Sequence, residues 1–228
     1  MDRWKNKQHI FFGLNGTLLD LHFDNHFWQE IVPQAYAKLY ALNIDQAKAL
    51  LSSYLASAAG TNDIYSIEYW EKKLGINILN LKKQHSDLIR LNKYVEKFLF
   101  YINNLNPKPA CHLVSNYHPD IIHYKIKLTG IDYFFDSVTS SYSFNMLKQD
   151  EQFWEYYLKQ LRINPDQAVL LDNNLSISKI VSNLGLEVIA ISDFLSENQL
   201  DQKITCIKNL ADLLPDRFRY KKLETNDL

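Results

Sequence analysis

Cysteine is scarce in this chain: Cys111 and Cys206 are the only two in 228 residues. They have no paired spacing, which excludes both a disulfide framework and a cysteine zinc site. Cys111 lies in an apolar run and is expected to be a buried core thiol. Basic excess is also missing. Lysine and arginine number 25 against 26 acids, for a net charge of −1, so there is no basic stripe for a nucleic-acid backbone. No apolar run reaches the roughly 18 residues of a membrane-spanning helix, and no membrane partner is expected. The opening Met-Asp-Arg-Trp-Lys-Asn-Lys-Gln-His carries no apolar signal region, so a cytoplasmic location is expected. Nothing singles out a protein partner.

What is present is enough apolar content, 46%, to bury a full core in one large domain, or in one domain with an insertion. Short apolar runs at His9–Phe12, Ala110–Ser115, Ala168–Asp172 and Glu187–Ile191 alternate with helix-period segments. That alternation predicts an α/β domain with a mostly parallel sheet. After Asp172, for instance, Ile177, Ile180, Val181 and Leu184 follow helical spacing, and Gly185 is placed to end the helix. Between Phe12 and Ala110 no strand signal appears. Phe27, Trp28, Ile31 and Val32, then Tyr36, Leu39 and Tyr40, follow helical spacing interrupted at Pro33. Further helices are expected over Asp45–Ala59, Asp63–Leu74 and Leu81–Ile102. An insertion this long exceeds a crossover. The expected division is an α/β core of residues 1–20 and 103–228, with an all-helical cap of residues 21–102. The charged tail after Pro215 is expected to be a solvated end.

In such sheets ligands bind beyond the carboxyl ends of the strands. Three polar clusters fall there: Gly13–Thr17, Ser115-Asn116 and Asp172–Asn174. The first, Gly13-Leu14-Asn15-Gly16-Thr17, resembles the opening Asp-x-Asp-Gly-Thr motif of the haloacid dehalogenase (HAD) superfamily with both aspartates replaced. Ser115-Asn116, Lys148 and Asp172-Asn173 are similar to the three later motifs, in order and at the ends of predicted strands or in the loop between them. The usual proline after the motif lysine is Gln149 here, and the second motif acid is Asn173. Within the superfamily, Leu18-Leu19-Asp20-Leu21-His22-Phe23-Asp24-Asn25-His26-Phe27-Trp28 and Gln29-Glu30-Ile31-Val32-Pro33 resemble bacterial GMP/IMP 5′-nucleotidases. So do Ile67-Glu68-Tyr69-Trp70 and Phe153-Trp154.

The resemblance implies a Rossmannoid HAD core and Mg²⁺-dependent removal of phosphate from purine 5′-monophosphates. It implies Gly13 at the nucleophile position and Asn15 at the acid/base position. Phosphate would be bound by Gly16, Thr17, Ser115, Asn116 and Lys148. Asp172, the Asn15 backbone carbonyl and, weakly, Asn173 would remain for Mg²⁺. The chemistry conflicts with the two replacements. Phosphate-monoester hydrolysis needs acceleration by up to about 10²¹, and the covalent route needs a nucleophile. Losing one costs on the order of 10⁶ in kcat in a protease used as a scale. An amide at position 15 forfeits acid/base help of about 10²–10⁴. Mg²⁺ binding, which usually uses one or two carboxylates, is weakened. The sequence therefore points to a catalytically impaired phosphatase fold that retains phosphate or purine mononucleotide binding. An active Mg²⁺-dependent nucleotidase and a scaffold or regulatory protein-binding module are the alternatives. His22, His26 and His118 have no ligand spacing. The aromatics Phe23, Phe27, Trp28, Tyr69 and Trp70 are expected mainly as core.

Overall fold

A computed structural model describes residues 3, 4, 6–192 and 204–220, without the side chains of Arg217 and Tyr220. Its centre is one sheet of β1 (His9–Phe12), β2 (Ala110–Ser115), β3 (Ser137–Ser140), β4 (Ala168–Asp172), β5 (Glu187–Ile191) and β6 (Ile204–Ile207). The spatial order is β3-β2-β1-β4-β5-β6, and every pairing is parallel. Apolar runs form these strands because a parallel sheet is covered on both faces. In β1, Ile10 and Phe12 join one apolar cluster and Phe11 the other, as the two-residue period of a strand requires. The Phe11 face is covered by α8 (Glu151–Leu161) and α9 (Leu175–Asn183), through Phe153, Trp154, Tyr157, Ile177 and Val181. The four predicted strands have their predicted bounds. The two missed strands, β3 and β6, lie at the edges, and β3 (Ser-Val-Thr-Ser) is mostly polar. An edge strand does not need the apolar run that identifies a central one.

Between β1 and β2 the elements are helical: α1 (His22–His26), a π turn (Phe27–Ile31), α2 (Val32–Tyr40), α3 (Ile44–Ala58), α4 (Ile67–Leu74), α5 (Ile78–Gln84) and α6 (Val95–Asn103), with short 3₁₀ turns. Pro33 does not interrupt the first of these. Residues 22–40 stay helical through it, and the π turn Phe27–Ile31 immediately before it is the local adjustment that accommodates a proline within a helical run. The expected helix over Leu81–Ile102 is broken. After α5 the chain turns back to the β1 loop, where Leu91 bridges Leu19 and the Asn92 amide donates to the carbonyls of Thr17 and Leu19. Tyr94, with φ 68°, then starts α6. These tertiary bonds override a helical pattern. Phe23, Phe27 and Trp70 are buried, as expected of core aromatics. After Pro215, Asp216–Tyr220 forms a helical turn, with Arg219 bonded to the carbonyls of Leu214 and Asp212. The rest of the charged tail lies outside the described residues.

Cys111 is fully buried, and burial pushes its thiol up to about 12. Beside it, the His9 and His112 rings stack with a 3.1 Å contact between their nitrogens, and His112 also meets the Ser137 hydroxyl at 2.7 Å. Burial, and then the neighbouring His9, push His112 down to about 4 from 6.5. Burial also lowers His9. Both depressed values mean that the fold binds the neutral rings. Their stabilisation is therefore complete above the ordinary histidine value and is lost as pH falls through the window below 6.5. His112→Gln should flatten the acid limb of stability against pH between 6.5 and about 4, measured by urea denaturation. An unchanged limb would assign the acid sensitivity to other groups.

Candidate functional site

The turn after β1 is fixed by packing at two glycines. Gly13 donates its N–H to the Leu171 carbonyl at 2.9 Å, which ties the turn to β4. A Cβ at position 13 would lie 2.5 Å from Asp172 Oδ2 and 2.8 Å from Thr17 Oγ1. The Asp172 carboxylate thus occupies the space where a side chain at position 13 would begin. Gly16, at φ +80°, is required by conformation as well as by space, because the Asn173 amide packs where its Cβ would project.

Asp172 ends β4 and is 2% exposed. Its Oδ1 accepts from the Asn174 N–H at 2.9 Å, and its Oδ2 is paired with Lys148 Nζ at 2.5 Å. Lys148, 4% exposed, is itself held through its backbone. Its N–H donates to Asn116 Oδ1 at 2.7 Å, and its carbonyl accepts from the Trp154 indole. Asn116 Oδ1 also accepts from the Ser141 hydroxyl. Its amide donates to Gln149 Oε1 and to the Tyr65 hydroxyl, which comes from the helical segment. Asn116 therefore joins the loop after β2, the Lys148 loop and the inserted helices. The Ser115 hydroxyl accepts from the Tyr117 N–H at 3.3 Å.

Gly13, Asn15, Ser115, Asn116, Lys148, Asp172 and Asn173 line one recess of about 200 Å³, together with Tyr65, Tyr117 and Gln149. That is smaller than the roughly 300–1,000 Å³ of pockets for whole small molecules and suits a phosphate-sized group. Gly16 and Thr17 face a separate cleft of about 540 Å³ with Lys93 and Lys208, sharing Leu21 and Asn173 with the recess. The sequence-predicted residues thus converge, except that these two lie on the other side of the turn.

Behind Asn15 lies a charged cluster that the motifs do not include. Asp24 of α1 is paired with Lys125 of α7 (Pro119–Leu128) at 2.5 Å and with Lys82 of α5 at 3.2 Å. Lys125 also donates to Asn15 Oδ1 at 3.2 Å. All three charged side chains are buried, and Lys82 lies 3.9 Å from the Phe27 ring centroid. Burial alone would raise the Asp24 carboxyl, but the two ammonium groups outweigh it and hold the carboxyl below its ordinary value. Burial pushes Lys82 down to about 8 against the attraction of Asp24, and it also lowers Lys125. Tyr117 is raised by burial well above its ordinary value. A sequence signal for this cluster did exist. Lys82 falls four residues after Ile78, and Lys125 lies among Ile121, Ile122 and Ile126, so both lysines sit on apolar helix faces. His118 instead caps α7 by accepting from the Asp120 N–H, and it meets Glu68 at 3.3 Å.

The residues present do not suit a divalent cation. Position 13 has no side chain, the Asn15 side-chain oxygen accepts from Lys125, and the Asn173 side-chain oxygen is bonded to Thr17, so of the expected ligands only Asp172 and the Asn15 backbone carbonyl remain. Asp172 is the one carboxylate lining the recess, and it is already closed on a lysine. Among the described residues no group of three metal-ligating side chains occurs.

The fold and the convergent loops are those of a hydrolase core. The family model of haloacid dehalogenase-like hydrolases matches residues 7–176, so the chain belongs to that family. Its curated relatives include the GMP/IMP nucleotidase YrfG of Escherichia coli K12 and of Shigella flexneri. Each is 24% identical over 183 residues, covering 80% of this chain and 82% of the relative. Among solved structures it is similar to a HAD phosphatase from Thermococcus onnurineus, at 18% identity and a TM-score of 0.76. That match covers 90% of this chain and 95% of the other. The L-2-haloacid dehalogenase of Xanthobacter autotrophicus aligns at 16% identity and a TM-score of 0.54, covering 84% and 80% of the two chains. No helix among the described residues is long and apolar enough to cross a membrane.

Two outcomes are expected of substitutions here. Gly13→Ala should lower stability by about 1–3 kcal/mol in chemical denaturation, the usual cost of overpacking. An unchanged midpoint would show that Asp172 withdraws freely. In the cluster behind Asn15, Asp24→Asn should cost about 3–5 kcal/mol by leaving two lysines buried without a counter-charge. Lys82→Met should leave stability unchanged or higher, since it removes the surplus charge. A Lys82→Met loss as large as that of Asp24→Asn would refute this charge assignment.

Proposed function

We propose that this chain is a phosphatase-fold protein of the GMP/IMP nucleotidase type that has given up covalent phosphate hydrolysis and binds a phosphate group without a divalent cation. The single observation that carries the reading is the charge around the recess. Lys148 lines it paired with Asp172, and behind it Lys125 and Lys82 share Asp24, three ammonium groups on two ion-paired carboxylates, with Asp20 also acting on Lys125. Aspartates at positions 13 and 15 would add two negative charges, which need a metal before the site can accept a phosphate dianion. Their loss removes both the nucleophile and the need for the metal. Ser115, Asn116 and Lys148 would form the cradle, and residues 21–102 would act as a cap, with Tyr65 reaching the site. The recess takes only the phosphate; the nucleoside of a purine 5′-monophosphate would extend into adjoining space. The nucleotidase relatives support the ligand class. A cytoplasmic location suits a mononucleotide ligand.

Binding of inorganic phosphate and GMP, measured by calorimetry and thermal shift, is expected to persist in a chelator, and GMP turnover is expected to stay at background with or without Mg²⁺. It should weaken as pH rises through about 8, where Lys82 discharges beside Asp24 and Lys125, because a monoester is already a dianion there. Binding or sustained turnover that requires Mg²⁺ would favour the active nucleotidase instead.

A further inference from the structure

The position of Asp172 carries a consequence for reactivity. From ordinary bond lengths and angles, an aspartate's own carboxylate oxygens lie about 2.4 Å from its Cβ. Asp172 Oδ2 lies 2.5 Å from the place where a Cβ at position 13 would be. A carboxylate oxygen from the neighbouring strand therefore stands in the space that a side chain at position 13 would enter. We propose that Asp172 Oδ2 is a phosphoryl acceptor, and that the protein takes one phosphoryl group from activated phosphate donors and keeps it. This rests on the reading that the recess binds phosphate.

The two oxygens of Asp172 are set up differently. Oδ1 is held by the Asn174 N–H, which fixes the plane of the carboxylate. Oδ2 accepts from Lys148 Nζ, and Asp172 lines the recess together with Ser115 and Asn116. The ammonium offsets the repulsion that a bare carboxylate exerts on an incoming phosphate. In the step itself, an Oδ2 electron pair forms a bond to phosphorus. The bond from phosphorus to the donor's leaving oxygen breaks, and that oxygen departs with the pair. The product is an acyl phosphate on Asp172.

The donor class follows from what the recess lacks. Asn15 cannot protonate a leaving group, so the departing oxide must be weakly basic, as in an aryl phosphate or an acyl phosphate. Simple alkyl esters, including the 5′-ester of a nucleotide, are excluded by the same argument. Persistence follows too. Asp172 is the one carboxylate of the recess, so once it is esterified no general base remains there to activate water, and that help is ordinarily worth about 10²–10⁴.

The test is to incubate the protein with p-nitrophenyl phosphate and, in parallel, acetyl phosphate. Expected are release of one equivalent of nitrophenolate per chain followed by a plateau, and a gain of one phosphoryl mass in the intact protein. Borohydride reduction and peptide mapping should place the label at Asp172. Asp172→Asn should abolish it. Should that variant fail to fold, with Lys148 left buried and unpaired, the mapping on the unaltered protein decides. Absence of the adduct while inorganic phosphate still binds would overturn the proposal and leave the binding function standing. A label at any other residue would overturn it as well. Failure to bind inorganic phosphate, with no adduct, would remove both.

Discussion

The buried ion pair between Lys148 and Asp172 is the constraint on which the site depends. A carboxylate 2% exposed at a strand end is costly to bury without a partner. Lys148 supplies one only because its own loop is held by Asn116 and Trp154. The pair closes across the ground that Gly13 leaves empty. A side chain there would meet the carboxylate, so glycine is fixed by the position of Asp172 rather than by its backbone angles. The loss of the position-13 side chain and the inward placement of Asp172 are therefore one structural fact.

The second cluster, Asp24 with Lys125 and Lys82, performs a similar service one layer deeper. It joins α1 and α5 of the inserted helices to α7 of the sheet domain, and its geometry reaches Asn15 through Lys125. Two lysines on one carboxylate is an expensive arrangement in a dry environment, and the depressed value of Lys82 records the cost. A carboxylate at position 15 would balance it. An amide leaves two ammonium groups sharing one carboxylate behind the recess. The replacement at position 15 thus changes the electrostatics of the site as well as its acid/base chemistry.

The central strands and the loops at their ends were legible in the sequence because both signals are local. Four apolar runs have the bounds of β1, β2, β4 and β5, and the polar clusters after them converge. β3 was not legible because this edge strand is mostly polar, and β6, Ile-Thr-Cys-Ile, is a four-residue edge run broken by a threonine. The break between α5 and α6 was hidden for a different reason. It is made by Asn92 bonding to carbonyls of a turn more than seventy residues earlier, and no window of sequence contains both partners. Lys82 and Lys125 left a trace, a lysine on an apolar face, but their shared partner Asp24 could be found only in three dimensions.

Charge and reactivity separate at this site. A phosphatase of the aspartyl-phosphate type must hold several carboxylates close together, and like charges at that distance cannot all ionise without a cation among them. This chain has no carboxylate at positions 13 and 15 and closes Asp172 on Lys148, which leaves the charged side chains lining the recess balanced, one ammonium against one carboxylate. What it forfeits is the proton traffic. A nucleophile without an acid/base partner can form a bond to phosphorus only when the leaving group needs no proton, and it cannot readily release the product. On the proposed reading, the geometry that would hold an oxyanion in the recess is the same geometry that would keep it from being turned over.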